Sequence, residues 1–285
     1  MHIARLRLKH RSALKPLCYV AVALLVMTVP PSAQAGPFTL FEASGPDAAS
    51  IQATVDAFRA ALGDPNNGNT PGPLTSGRRE INWDGGGQSI TESPTPFLGF
   101  QGRGAVFTTP GTGFIQAPPS LLAADSRFDP SYASFATFSA PRVFSPLGSP
   151  STTLTFSVPG TNGTSTATTI AFGAVFSDVD SSTNASLTFL NRQGVSQGTF
   201  PVPAADNNGL SFLGLIFPNL PFSQVNIVSG TDPLGVAESG SIDIIVMDDF
   251  LYKEPAVVPE PATLILLGVS AVGMSLAARR RKRAS

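Results

Sequence analysis

Between Pro46 and Leu62 the apolar residues Ile51, Val55, Phe58 and Leu62 recur at spacings of four, three and four. That rhythm places all four on one face of an α-helix. Ser44 or Asp47 stands where an N-cap is needed, and Gly63 followed by Pro65 ends the pattern. Further along, the period shortens to two. Leu154, Phe156 and Val158 alternate with polar neighbours, as do Leu187 with Phe189 and Val225 with Ile227. Residues 170–176 and 210–217 are nearly continuous apolar runs, the second stopped by Pro218. Gly194 permits a turn into 198–202, and residues 105–108 and 135–138 are further strand candidates. On the last strand Ile242, Ile244, Val246, Phe250 and Tyr252 share one parity. Only residues 65–73 (PNNGNTPGP) read as an unstructured turn-rich loop. The pattern predicts a mainly β fold, an antiparallel β-sandwich of jelly-roll type with one N-terminal amphipathic helix.

Two apolar stretches follow neither period. Leu17 to Val29 comes after the basic residues Arg5, Arg7, Lys9, Arg11 and Lys15, and before Ala33-Gln34-Ala35. This is the anatomy of a secretory signal peptide over residues 1–35, cut by signal peptidase between Ala35 and Gly36. The second stretch, Ala262 to Ala278, is 17 residues without a charge, at the short end of what spans a bilayer. Arg279, Arg280, Arg281, Lys282 and Arg283 follow it as a stop-transfer cluster, which holds residues 279–285 in the cytoplasm. Pro259, Glu260 and Pro261 stand at the opposite edge of this transmembrane helix. The tripeptide, the short span and the basic stop together resemble the PEP-CTERM sorting signal of Gram-negative bacteria. The resemblance implies an exported precursor, anchored transiently in the inner membrane and processed by exosortase.

Removing both ends changes the charge. The whole chain has a formal net charge of -1, but ten of its 18 basic residues lie in the two ends. Residues 36–261 keep 8 basic residues against all 19 acidic ones, a net charge of −11. Nucleic-acid binding needs clustered Lys and Arg, so it is not expected. The single Cys (Cys18) and both His (His2, His10) leave with the signal. The body, residues 36–253, therefore has no thiol or imidazole for disulfides, Cys/His zinc sites or Ser-His-Asp chemistry. Residues 254–261 read as a spacer ending in the Pro-Glu-Pro motif.

Two places in the body could carry chemistry. Asp248 shares the parity of the apolar residues on the last strand, so it either points into the core or marks a bulge, with Asp249 facing the other way. A buried carboxylate needs a partner, and a structural calcium ion is one. Asp248 and Asp249, with Asp178, Asp180 and Glu42 as further oxygen donors, form the candidate calcium set; a bulge with hydrogen-bonded turns is the alternative. The second place is the segment from Arg78 to Gly86, which contains the only Trp. Trp83 either stacks on a sugar ring or fills the core, with Arg79 or Glu80 in a structural ion pair. Nineteen acids offer many carboxylate pairs, but none is framed by aromatics as in a glycosidase cleft.

The segments SGRREINWDG, GRGAVFTTPGTGF, FSAPRVFSPLGS, FGAVFSDVD and VMDDFLY are similar to a domain of unassigned activity in exported bacterial proteins. The PEP-CTERM resemblance implies cell-surface or extracellular-matrix proteins linked to exopolysaccharide and biofilms. The expectation is a non-catalytic binding or structural body. A calcium-stabilised carbohydrate-binding module is the first alternative, and a polysaccharide hydrolase or lyase the second.

Overall fold

The computed structural model describes residues 37–205, 207–235 and 241–257. The signal segment with Ala33, Ala35 and Gly36 lies outside the described residues. So do Pro259, Glu260, Pro261, the span 262–278 and the basic cluster 279–283. Among the described residues, no helix is long and apolar enough to cross a membrane.

Strands are numbered along the chain, and all the sheets are antiparallel. The larger sheet has the order β1 (Thr39–Gly45), β12 (Leu210–Ile216), β9 (Ala171–Ser177), β14 (Val246–Lys253), β6 (Val143–Leu147), β5 (Gly113–Ala117) and β3 (Thr91–Pro94). A short strand β2 (Arg78–Ile81) also pairs with β14. The smaller sheet has the order β11 (Ser196–Pro201), β10 (Ala185–Leu190), β13 (Gln224–Ser229), β7 (Ser151–Phe156) and β4 (Ala105–Thr108). A two-residue ladder joins β8 (Ala167–Thr168) to β15 (Ala256–Val257).

Alternation along these strands creates the core between the sheets. Leu154 and Phe156 of β7, Leu187 and Phe189 of β10, and Val225 and Ile227 of β13 meet Phe172, Ala174 and Phe176 of β9. All are buried, and each such side chain contributes roughly 1.5–3 kcal/mol when removed from water. The opposite face of the larger sheet is also covered. Helix α1 (Ala48–Leu62) buries Ile51, Val55, Phe58 and Leu62, the four residues of its periodic stripe, against Ala171, Val175, Phe212 and Leu251. Asp47 caps the helix by accepting from Ser50 N at 2.9 Å, and Gly63 ends it with φ 87°. A segment with the short helix α2 (Pro119–Ala124) covers the rest of that face, where Leu122, Tyr132 and Phe135 pack on Ile115, Val143 and Val246.

Helix and sheet approach closely at one point. Gly173 and Gly214 face each other across β9 and β12, beneath Phe58. A Cβ at Gly173 would lie 2.9 Å from the rings of Phe58 and Phe212, and one at Gly214 3.0 Å from Phe58. The two glycines make the hollow that Phe58 fills, a requirement that strand periodicity does not reveal.

Residues 135–138 are not a strand. They follow a 3₁₀ turn at Pro130–Ser134, and Phe138 N donates to Asp248 Oδ2 at 2.7 Å rather than to a neighbouring strand. The last strand departs from a single parity. Ile244 and Val246 face the α2 side, while Ile245, Met247, Phe250 and Tyr252 face the core between the sheets.

The fold also extends past Lys253. Arg79 is fully buried, and its Nε and Nη2 each reach the Glu254 carboxylate at 2.7 Å. Asn67 Nδ2 donates to the same carboxylate at 2.8 Å, and Leu74 N at 3.1 Å. The remaining guanidinium donors bond the carbonyls of Gly68 and Thr70. One ion pair therefore closes the 65–73 loop onto the end of the last long strand. Residue 254 belongs to the fold rather than to a spacer, although turn chemistry alone marks it as linker.

Breaking a buried pair leaves an uncompensated charge. Arg79→Ala or Glu254→Ala is expected to cost about 3–5 kcal/mol of unfolding free energy. The Arg79→Leu/Glu254→Leu double variant should cost less than the sum of the two single changes. Chemical denaturation of the four proteins measures both quantities, and additive losses would mean that the pair is not coupled.

Candidate functional site

The five sequence segments quoted above converge on strand β14. On one side β14 pairs with β9 throughout. On the other it meets β6 at Met247 and then β2 from Phe250 onward. The change of partner coincides with a β-bulge. Met247 lies opposite Phe176 and Phe250 opposite Ala174, so Asp248 and Asp249 together face only Val175 of β9. The extra residue turns both carboxylates to the helix-bearing side, which corrects the expectation that Asp249 faces away from Asp248. Both proposals for Asp248 hold at once, since it sits in a bulge and is fully buried.

The bulge frees backbone groups that the surroundings take up. Trp83 Nε1 donates to the Asp248 carbonyl at 3.1 Å. Asp248 Oδ2 accepts from Phe138 N at 2.7 Å and Ser139 N at 3.2 Å. Asp249 Oδ2 accepts from Arg59 of α1 at 3.1 Å, and Arg59 also reaches Glu80 of β2 at 3.2 Å. Helix, sheet and the 134–142 segment are therefore joined through two adjacent aspartates.

Ser139 Oγ lies at the centre. It is 2.7 Å from Asp249 Oδ1, 3.0 Å from Asp84 Oδ2 and 3.3 Å from Asp248 Oδ1. A hydroxyl has one proton to donate, so it cannot satisfy three ionised carboxylates. Burial, reinforced by the charge of Asp249, raises the Asp248 carboxyl well above its ordinary range. A proton on Asp248 Oδ1 relieves one of the three contacts, because that oxygen then donates to Ser139 Oγ and leaves the hydroxyl proton for Asp249 or Asp84. Asp249 is also raised, mainly by burial, but Ser139 and Arg59 favour its charged form.

Trp83 is only 1% exposed. Its ring stacks on Phe144 with centroids 3.8 Å apart and planes 4° apart, and Phe100, Phe107 and Phe250 meet it edge-on at 5.2–5.4 Å. Its face is thus occupied by the core, so it is no open platform for a sugar ring. One part of it still lines a cavity of about 370 Å³, together with Phe97, Phe100, Arg103, Gln116 and Arg142.

The other calcium candidates lie elsewhere. Glu42 is exposed on edge strand β1, three strands from β14. Asp178 and Asp180 follow β9 and lie near Asp243; Asp178 feels the charges of Asp180 and Asp243, and Asp243 feels that of Asp180. Asp178 adopts φ 72°, and its Oδ1 accepts the amide of Asn208. Burial, with the charges of Asp180 and Asp243, pushes the Asp178 carboxyl up to about 6. Among the described residues, no group of three or more His, Cys, Asp or Glu is arranged to hold a metal ion. Sequence reasoning did not single out Arg142 or Ser139, and it met Asp84 only as a neighbour of Trp83 in the Arg78 to Gly86 segment. The FSAPR run around Ser139 and Arg142 carries no periodicity that would have drawn attention to them.

These features define a mainly β protein of antiparallel sheets. Residues 257–282 match the model of the PEP-CTERM protein-sorting motif. The chain therefore carries that motif and is an exosortase substrate, made as an exported, membrane-anchored precursor. No curated protein and no solved structure matches it.

Two pH-linked outcomes follow. If Asp248 holds a proton at neutral pH, Asp248→Asn should lie within about 1 kcal/mol of wild type at pH 7. Asp248→Ala leaves two amides without an acceptor and should cost about 2–4 kcal/mol. Equal, large losses in both variants would show that Asp248 is ionised. For Asp178, the folded pKa exceeds the unfolded one, so the folded state binds more protons between them. Its contribution is therefore favourable at low pH and is lost as pH rises from about 4 through about 6. Asp178→Asn keeps the acceptor and tolerates the left-handed backbone. It should leave stability unchanged near pH 3.5 and raise it by about 1–3 kcal/mol at pH 7.5. A pH-independent difference in melting temperature would contradict this linkage.

Proposed function

We propose that this protein is a cell-surface or extracellular-matrix component whose jelly-roll-type body acts by binding or as structural mass, without chemistry of its own. After export, exosortase processes the tail near Pro259-Glu260-Pro261. The folded body then passes to the envelope surface or to extracellular polysaccharide.

The observation that carries this reading is where the described sheets lie relative to the motif. Among the described residues the last strand, β15, ends at Val257, and the sorting motif begins at that residue. Glu254, three residues earlier, is held by Arg79. A cut at residues 259–261 would therefore leave the folded sheets and their core intact. A body designed to survive processing suits a delivered cargo. The lack of His and Cys in the body, and the use of Asp248 and Asp249 to hold backbone amides, Ser139 and Arg59, support a non-catalytic role.

The test of sorting is Glu260→Ala in the native host. Full-length protein should accumulate in the inner membrane, and the processed form should disappear from the cell surface and medium. Unchanged processing on an immunoblot of fractionated cells would sink the assignment of Pro259–Pro261 as the recognition element.

A further inference from the structure

The body's arginines divide into two groups. Arg59, Arg78, Arg79 and Arg127 each pair with one or more carboxylates. Of the three that form no ion pair among the described residues, Arg192 is exposed, while Arg103 and Arg142 line the 370 Å³ cavity. This placement is unusual within residues 36–261, whose net charge is −11 and where carboxylates are plentiful and cations scarce.

Arg142 is the more constrained of the two. It is 1% exposed. Its Nη2 donates to the Gln116 carbonyl and its Nη1, at 3.5 Å, to the Trp83 carbonyl. Its Nε has no partner. Burial lowers its affinity for its proton, and the charge of Asp84 opposes this only in part. A buried charge without a counterion is costly unless something compensates it. The nearest candidate, Asp84, has its oxygens bonded to Arg142 N, Asn82 Nδ2 and Ser139 Oγ. Gly86 lies directly against the guanidinium, where any side chain would collide with it. Arg103 lies over the Phe100 ring at 5.3 Å and bonds Asn69 and the Glu80 carbonyl.

The rest of the wall narrows the class of ligand. Phe97, Phe100 and part of Trp83 supply an apolar side. Asn82, Thr91, Ser93 and Gln116 supply amides and hydroxyls. A guanidinium suits a planar carboxylate, which it can bind with two parallel hydrogen bonds. The polar wall suits hydroxyls, and the apolar wall suits the C–H face of a ring. The volume accommodates a ligand of one or two sugar rings.

We propose that this cavity is a binding site for an acidic sugar unit, a uronate whose carboxylate is met by Arg142 and Arg103. The proposal deepens the binding role put forward above. It is independent of sorting, because processing at Glu260 and ligand binding are read by separate assays.

Trp83 is the only tryptophan in the chain and lines the cavity, so it reports occupancy. The full chain in detergent would be titrated with glucuronate, glucose and sodium sulfate while emission is followed with excitation at a wavelength selective for Trp. Glucuronate should give a saturable change, whereas glucose and sulfate should bind at least tenfold more weakly. Arg142→Gln should weaken glucuronate binding at least tenfold. Gly85→Leu guards against misfolding of that variant. A Cβ at Gly85 has no neighbour within 4 Å, so this change should fold normally while crowding the cavity and weakening binding. No saturable response to glucuronate would overturn the proposal. So would equal responses to glucuronate and glucose, or sulfate binding as tightly as glucuronate. Unaltered affinity in Gly85→Leu would place any binding elsewhere.

Discussion

The two-residue bulge at Asp248 and Asp249 is the constraint on which the rest of the structure depends. It sits where β14 changes partner from β6 to β2. A regular strand would send two adjacent carboxylates to opposite faces, leaving one in the aromatic core between the sheets. The bulge brings both to one side, where Arg59, Ser139 and the amides of the 134–142 segment meet them. It also exposes the Asp248 carbonyl, which the Trp83 indole takes up. That bond fixes the ring that stacks on Phe144 and borders the cavity. One irregularity in a ladder thus orients the core and the candidate binding site.

Burial and charge are balanced differently at three points in this acidic body. Arg79 and Glu254 neutralise each other and close the fold just ahead of the sorting motif. At Asp248, burial and the charge of Asp249 raise the carboxyl well above its ordinary range, which favours the uncharged form. Arg142 does neither, and its charge faces neutral carbonyls beside an open cavity. The first two arrangements limit the cost of burying a charge. The third leaves a charge that a ligand of opposite sign would complete.

Much of the fold was legible in the pattern of side chains. The helix stripe Ile51, Val55, Phe58 and Leu62 was readable because burial of one helix face imposes a 3.6-residue period. The strands around residues 154, 187 and 225 were readable because each has one face in the core. Two features broke the rule. Residues 135–138 were a strand candidate, but the amide of Phe138 is claimed by Asp248, 110 residues away in sequence. The last strand does not keep one parity, because the bulge shifts it partway along. In both cases the deciding partner is distant in sequence, and local periodicity carries no information about it. The site divides in the same way. Asp248, Asp249 and Trp83 stood out by type and position, whereas Ser139 and Arg142 matter only through what they touch.

By itself the sequence determined that the chain is an exosortase substrate, and that the body is β-rich, acidic and without His or Cys. These properties are local or additive. A sorting motif is read as a short linear segment, charge is a sum, and strand period follows from one residue and the next. Only the tertiary structure decided that Asp248 and Asp249 share a face, that Trp83 is buried, and that Arg103 and Arg142 meet at one cavity. Those outcomes depend on which distant groups approach a buried charge, and the energy of a buried charge is set by its neighbours in space.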